Sequence, residues 1–230
     1  MAKWQTDDVR GHQAKKKYKK KSKKKNLTRK DVYEIAHSVV DAKPERKNFD
    51  YVNPGLIVPP GTNGLIFDLT DLTNGTTDIT RIGNEITLEY LGLRFFYRQL
   101  STSSMIICNA RVLVFQWYPD TAVDSPAISS ILASTNYING FFNRENSGQY
   151  KVLYDQRMLL QNEPTSDNFS HLIDISLSSD IKGLRKTIHY NDSATTGTNH
   201  IFCMIVNDTT DATYRPLTDH IYSRLIYTDS

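Results

Sequence analysis

The side chains able to do catalytic or metal chemistry in this 230-residue sequence are few and scattered. Of six histidines, His12 lies near the N-terminus, His37 in a stretch with helical spacing, and His171, His189, His200 and His220 in or at the start of strand-like runs. There is no HExxH or HxH pair, and a lone strand histidine is usually a satisfied core or edge residue, so no metal-ligand role is assigned. Cys108 and Cys203 both sit in apolar runs, where a thiol behaves as a small buried hydrophobe; this excludes a disulfide framework and a cysteine zinc site. Gly61-Thr-Asn-Gly64 has neither the spacing nor the lysine of a phosphate loop, and no GxSxG or GxGxxG occurs. Asp68 and Asp71, like Asp208 and Asp211, stand in turn sequences where aspartate caps backbone N–H groups. The reading is therefore of a protein that is not an enzyme. Five Asn-x-Ser/Thr sequons, from Asn26, Asn74, Asn168, Asn191 and Asn207, fall in Asn- and Thr-rich turns and are read as chance.

Charge is the informative chemistry. The formal net of +3 hides a division, because the segment from Met1 to Lys30 holds thirteen of the 28 Lys and Arg against only Asp7 and Asp8, a net of +11. The rest of the chain carries fifteen basic and 23 acidic side chains, a net of −8. Each lysine that meets a phosphate releases a condensed counterion, so a run this dense binds nucleic acid strongly, without base preference and with a steep salt dependence. Lysine offers a point charge and no bidentate fork, which favours backbone neutralisation over base readout. The candidate nucleic-acid-binding residues are Lys15, Lys16, Lys17, Lys19, Lys20, Lys21, Lys23, Lys24, Lys25, Arg29 and Lys30, with Trp4 and Tyr18 available to stack on bases. No apolar run approaches the roughly 20 residues of a membrane helix, and no apolar segment follows the charges as a secretory signal requires.

The elements that must carry this arm follow from composition and period. Residues 1–27 are expected to be a disordered Lys-rich arm, since like charges repel and almost nothing apolar is present to bury. Residues 28–63 are read as an amphipathic helix followed by a Pro-rich connector. Val32, Ile35, Ala36, Val39 and Val40 fall at helical spacing, with Thr28 as N-cap and Asp31 three residues on. Pro44 ends the pattern, and NPGLIVPPGTNG marks an extended connector rather than a central strand. Residues 64–230 form the expected all-β body, with eight strands: 65–69, 85–99, 105–118, 151–160, 169–177, 184–190, 200–206 and 220–228. The apolar phase shifts within 85–99, predicting a bulge or bend near Gly92. Residues 105–117 and 201–206 are apolar on both faces, which predicts outer cover from a helix or a neighbouring subunit. Ser125–Ser134 is expected to supply a short helix. Without helices between strands, the fold class is an eight-stranded antiparallel jelly-roll sandwich with a basic arm and a short N-terminal helix.

That order of parts, with PERKNFD, RIGNEITLEYLGLRF, ARVLVFQWYPD, YKVLYDQRMLL, GLRKTIHYND, HIFCMIVND and SRLIYTD along the chain, resembles the single-jelly-roll capsid proteins of small circular Rep-encoding single-stranded DNA viruses. It is also similar to the capsid proteins of the satellite tobacco necrosis virus group. The arm departs from many of the DNA-virus proteins in being Lys-rich rather than Arg-rich. The resemblance implies a homo-oligomeric icosahedral shell of 60 copies, found in the virion and in the host nucleus during assembly, with a nuclear import receptor as a further partner and no membrane. The arms would face inward on single-stranded nucleic acid, a circular ssDNA genome; sixty of them supply about 660 positive charges, on the order of the phosphates of one to two thousand nucleotides. The resemblance implies no cofactor beyond structural calcium, which carboxylates near symmetry axes hold in such shells, with no ligands named here. The alternatives are a non-capsid nucleic-acid-binding or chaperone protein with a nuclear-localisation tail, and a sugar-binding or hydrolytic jelly roll with an accessory tail.

Overall fold

The computed structural model describes residues 28–40, 45–59, 64–99, 106–133, 137–162, 170–178, 180–209 and 216–229. The chain divides into two compact units, Met1–Lys43 and Pro44–Ser230.

In the first unit, α1 (Arg29–Val40) begins at the expected cap. The Thr28 hydroxyl accepts from the Asp31 N–H at 3.2 Å, and an Asp31 carboxylate oxygen accepts from both the Thr28 N–H and its hydroxyl at 2.8 Å. This reciprocal box satisfies N-terminal donors that a helix otherwise leaves unpaired. The Thr28 backbone N–H, and then its hydroxyl, hold the Asp31 carboxyl below its ordinary pKa.

The second unit is two antiparallel sheets packed face to face. One contains β1 (Arg46–Ile57), β10 (Pro216–Asp229), β3 (Glu85–Gln99) and, beyond β3, β6 (Ser170–Ser178) along most of its length, with β7 (Thr187–Tyr190) and the two-residue β8 (Gly197–Thr198) at its start. The other runs β2 (Leu65–Asp68), β9 (His200–Asn207), β4 (Ile106–Trp117) and β5 (Tyr150–Asn162). Successive strands cross between the sheets except at β4 to β5, β6 to β7 and β7 to β8. The resulting order is that of a jelly roll, two interleaved Greek keys closing a sandwich. All the pairings between these strands are antiparallel.

The strand count rises from the expected eight to ten, through β1 and β8. Residues 46–57, expected as part of the connector, form a full strand whose register with β10 runs from Arg46 opposite Thr228 to Ile57 opposite Leu217. Pro54 and Gly55 give this segment its loop-like composition. They are tolerated because β1 is an edge strand, where a missing N–H costs no ladder bond, and the register skips Pro54. Gly55 has a positive φ, and a Cβ there would stand 2.6 Å from the Thr218 carbonyl oxygen. Only glycine fits both conditions. Inside this strand Lys47 points into the sandwich, where Nζ meets Asp229 at 2.7 Å and donates to the Thr80 carbonyl at 3.0 Å. The short β8 lies outside the expected set as well.

The phase shift in β3 is real and lies slightly earlier than Gly92. Tyr90 pairs with Ile226 but Leu88 with Tyr227, so Glu89 is the extra residue of a bulge. Ile86 and Leu88 point inward before it and Leu91, Leu93, Phe95 and Tyr97 after it, all buried. These meet Val112 and Val114 of β4, Ile173, Ile175 and Leu177 of β6, Ile201, Cys203 and Ile205 of β9, and Ile221 and Leu225 of β10 in the inter-sheet core.

A second apolar cluster explains the double-sided strands. Leu113, Phe115 and Trp117 of β4 and Phe202, Met204 and Val206 of β9 turn away from the core and are buried under Ile128, Ile131, Leu132 and Ile138. The cover is thus the chain's own β4–β5 connection, which carries the short α2 (Ile128–Ile131). Strands buried on both faces lose the apolar-polar alternation, as seen here.

Candidate nucleic-acid and assembly surfaces

Lys15, Lys16, Lys17, Lys19, Lys20, Lys21, Lys23, Lys24 and Lys25 lie outside the described residues, as do Trp4, Tyr18 and His12. Arg29 and Lys30 are in the first turn of α1, both exposed, and Lys30 lies 3.7 Å from Glu34 one turn on. An exposed i,i+4 pair of this kind is worth only a few tenths of a kcal/mol, so it leaves the lysine available to a phosphate.

The residues first considered for chemistry are mostly engaged in holding the fold. His200 is fully buried at the start of β9; Nδ1 lies 2.7 Å from Asp68 Oδ2, and Nε2 lies 3.3 Å from the carbonyl oxygen of His189 in the opposite sheet. Asp68 Oδ1 in turn accepts from the Thr70 N–H and hydroxyl, each at 2.7 Å. The imidazole therefore ties one sheet to the other. His171 bonds the Leu159 carbonyl oxygen, His189 lies 3.6 Å from Glu85, and His220 stacks on Tyr222. Asp208 accepts from the Asn109 N–H and side-chain amide, closing the end of the β4–β9 ladder. Both cysteines are buried free thiols; desolvation pushes Cys108 up to about 12 and also raises Cys203. Among the described residues no group of three or more His, Cys, Asp or Glu stands close enough together to hold a metal ion.

Two buried arginines pin loops, and neither stands out in the sequence. Arg111 of β4 forms a bidentate pair with Asp155 of β5, Nε and Nη2 each 2.8 Å from a carboxylate oxygen, while Nη1 donates to the carbonyls of Gly140 at 2.8 Å and Tyr137 at 3.1 Å. It fastens the β4–β5 connection over the second cluster. Arg81 donates to the carbonyls of Asp192 and Ala194 and of Gly83, and its guanidinium lies 4.2 Å from the Tyr190 ring centroid.

The outer face of the β1-β10-β3-β6 sheet has a different character. No described element of this unit covers it. Val52, Tyr222, Phe96 and Leu172 stand on it about half exposed, at 56, 50, 48 and 51%. Val52 is directly opposite Tyr222, and Phe96 opposite Leu172. Four arginines join them and each has a carboxylate: Arg224 with Asp50 at 2.7 Å, Arg94 with Asp174 at 2.5 Å, Arg98 with Asp219 at 2.6 Å and Arg46 with Glu89 at 2.7 Å. The Arg224 hydrogen bonds hold the Asp50 carboxyl below its ordinary pKa, and Asp174 raises that of Arg94. Between Arg94 and Arg224 lies an open notch of about 470 Å³ over Gly92, walled by Tyr90 and Tyr222. The signal in the sequence is the alternation Arg94, Phe96, Arg98, legible only once the bulge at Glu89 sets which residues face outward.

No protein-family model matches the sequence, and no curated protein matches it. Among solved structures, a chain from Desmodium yellow mottle tymovirus aligns over 97% of this chain and 96% of its own, with 10% identity and a TM-score of 0.32. A likeness this slight carries no functional argument.

Proposed function

We propose that this protein is a viral coat protein that assembles with its own copies into a small icosahedral shell and packages single-stranded nucleic acid, a circular DNA genome, through its Lys-rich arm. The observation that carries the reading is the pairing, in one chain, of an N-terminal segment of net +11 with a jelly-roll body drawn from the remaining residues of net −8. A jelly roll alone does not specify a task, since lectin domains and cupins use it too. The charge division is what selects among them. A polyanion confined within a shell needs neutralising cations, and the acidic body repels it, so the arm rather than the wall becomes its contact. The side chains that would serve a hydrolase are instead engaged in hydrogen bonds within the fold, as with His200 and Asp68. The virion, and the host nucleus during assembly, are the places this reading assigns.

The test expresses the full chain and a variant lacking residues 1–27. The full chain should form closed particles by electron microscopy that contain nuclease-protected nucleic acid, sensitive to deoxyribonuclease after extraction. The truncated chain should remain folded and lose the nucleic acid. Binding of the full chain to random and genomic single strands should weaken in parallel as salt rises, by several orders of magnitude from low to physiological ionic strength if about six or more lysines contact phosphate. A full chain that binds oligonucleotide but stays monomeric under all these conditions would establish the chaperone reading instead.

A further inference from the structure

We infer that the uncovered outer face of the β1-β10-β3-β6 sheet is a docking surface for a second copy of this chain, centred on the notch over Gly92. The inference rests on the self-assembly reading above and names the surface through which two copies meet.

Three observations select this occupant. The first is composition. Half-exposed Val52, Tyr222, Phe96 and Leu172 form a patch with arginines around it, and Tyr, Phe and Arg are the residue types enriched in protein interfaces. The second is charge. Every arginine of the patch is ion-paired within the same chain, four cations against four carboxylates, so the face offers no net attraction to a polyanion. A nucleic-acid groove would present unpaired cations along the backbone path.

The third is symmetry in the register. On β10 and β3, Tyr222 is opposite Arg94, Ser223 opposite Leu93 and Arg224 opposite Gly92. Outside them Asp50 is opposite Arg224 and Val52 opposite Tyr222, while Asp174 is opposite Arg94 and Ser176 opposite Gly92. The two Arg-Asp pairs are therefore related by a local two-fold through the Ser223–Leu93 pair. A second copy laid face to face about an axis in the sheet plane at that point, running either along or across the strands, sets each arginine over Tyr222 or the Gly92 notch. Each aspartate then lies over Val52 or Ser176. Like charges never oppose, and each arginine can meet a tyrosine face, either that of Tyr222 or that of Tyr90, which leans over Gly92. The face measures about 30 by 20 Å, roughly 600 Å², close to the roughly 800 Å² per partner of a stable interface.

The experiment is sedimentation equilibrium of the full chain, freed of nucleic acid in high salt, for the parent and for Phe96→Asp, Tyr222→Asp and Phe141→Asp. Phe141 is 87% exposed on the β4–β5 connection and tests whether any lost surface hydrophobe has the same effect. Circular dichroism and melting temperature establish folding, and Tyr222→Ser replaces an aspartate variant that does not fold. The parent should self-associate, the Phe96 and Tyr222 variants should bind at least about tenfold more weakly, and Phe141→Asp should match the parent. Variants that associate like the parent overturn this surface and leave the shell reading standing. A parent that remains monomeric with and without single-stranded oligonucleotide overturns the shell reading and this surface with it. Variants that associate normally but lose oligonucleotide retention would make the face a nucleic-acid platform and also overturn the inference.

Discussion

Removing the guanidinium of Arg111 should loosen the β4–β5 connection from the sheet it covers. The group is 1% exposed, and its donors reach both oxygens of Asp155 and the carbonyls of Tyr137 and Gly140. Arg111→Met keeps the apolar stem but strands two carbonyl acceptors and one carboxylate. The Asp155 side chain is 28% exposed, so water reaches it once the arginine is gone. Removing one member of a buried pair costs about 3–5 kcal/mol, and that hydration offsets part of it, leaving about 2–4 kcal/mol. Asp155→Asn has a comparable cost for a different reason, because it leaves a buried cation facing an amide that cannot accept at both positions. The double variant removes the charge and its counter-charge together, so only the stranded carbonyls remain, at about 2–3 kcal/mol. The two single costs should therefore fail to add by about 2 kcal/mol or more. Urea unfolding of the parent, both single variants and the double variant measures this cycle, and at about 2–4 °C per kcal/mol each single change should lower Tm by roughly 5–15 °C. Limited proteolysis should cut residues 118–149 first in the variants. Additive costs, each below about 1 kcal/mol and with the connection still protected, would refute the pinning role.

Two further outcomes test the core and a tight turn. Cys108 and Cys203 are buried with raised thiol pKa values, so they should resist maleimide in the native state at neutral pH and react promptly in denaturant. The folded protein holds the Cys108 proton more tightly than the unfolded chain, so its contribution is complete below an unfolded value near 9 and is lost as pH rises toward about 12. Stability in urea melts should therefore fall as pH rises through that window. A Cβ added at Gly197 would stand 1.8 Å from the His189 carbonyl oxygen, whereas one at Gly148 would meet nothing within 4 Å. In the same melts Gly197→Ala should cost about 2–4 kcal/mol, and Gly148→Ala should change stability by no more than about 0.5 kcal/mol.

Much of the sandwich is legible from period alone, and the exceptions have physical causes. The alternation of Ile173, Ile175 and Leu177 with Asp174 and Ser176 survives into the structure, because β6 has one face in the core and one in solvent. β1 reads as connector since Pro54 and Gly55 are turn formers locally, and only the edge position, a non-local fact, makes them compatible with a strand. The double-sided apolar character of β4 and β9 calls for outer cover, but periodicity cannot say whether that cover comes from a helix, a loop or a neighbour. The identity of the cover is set by Arg111 reaching across to Asp155 and the carbonyls of the connection, contacts between residues 26 to 44 positions apart. The charged arm is legible as composition, but the sheet face is not. Its four arginines are spread over three strands, and only the bulge at Glu89 and the β10 register bring Arg94 and Arg224 to the same notch.

The two sheets divide the molecule's surfaces in a way that composition cannot reveal. One outer face is made of aliphatic and aromatic side chains, and the chain covers it itself with the long connection from Trp117 to Tyr150. That cover costs the entropy of ordering a long loop. The other outer face is semi-apolar and carries its ions as closed pairs, a composition stable in water without cover yet poor at binding phosphate. Arg-carboxylate pairs at exposed positions contribute little to the stability of a monomer, commonly less than about 1 kcal/mol. Their geometry matters more when a partner excludes water, since a paired guanidinium enters an interface without leaving a naked charge behind. In the self-association inferred above, the arrangement at Arg94, Asp174, Arg224 and Asp50 thus has a greater effect than it has in a monomer.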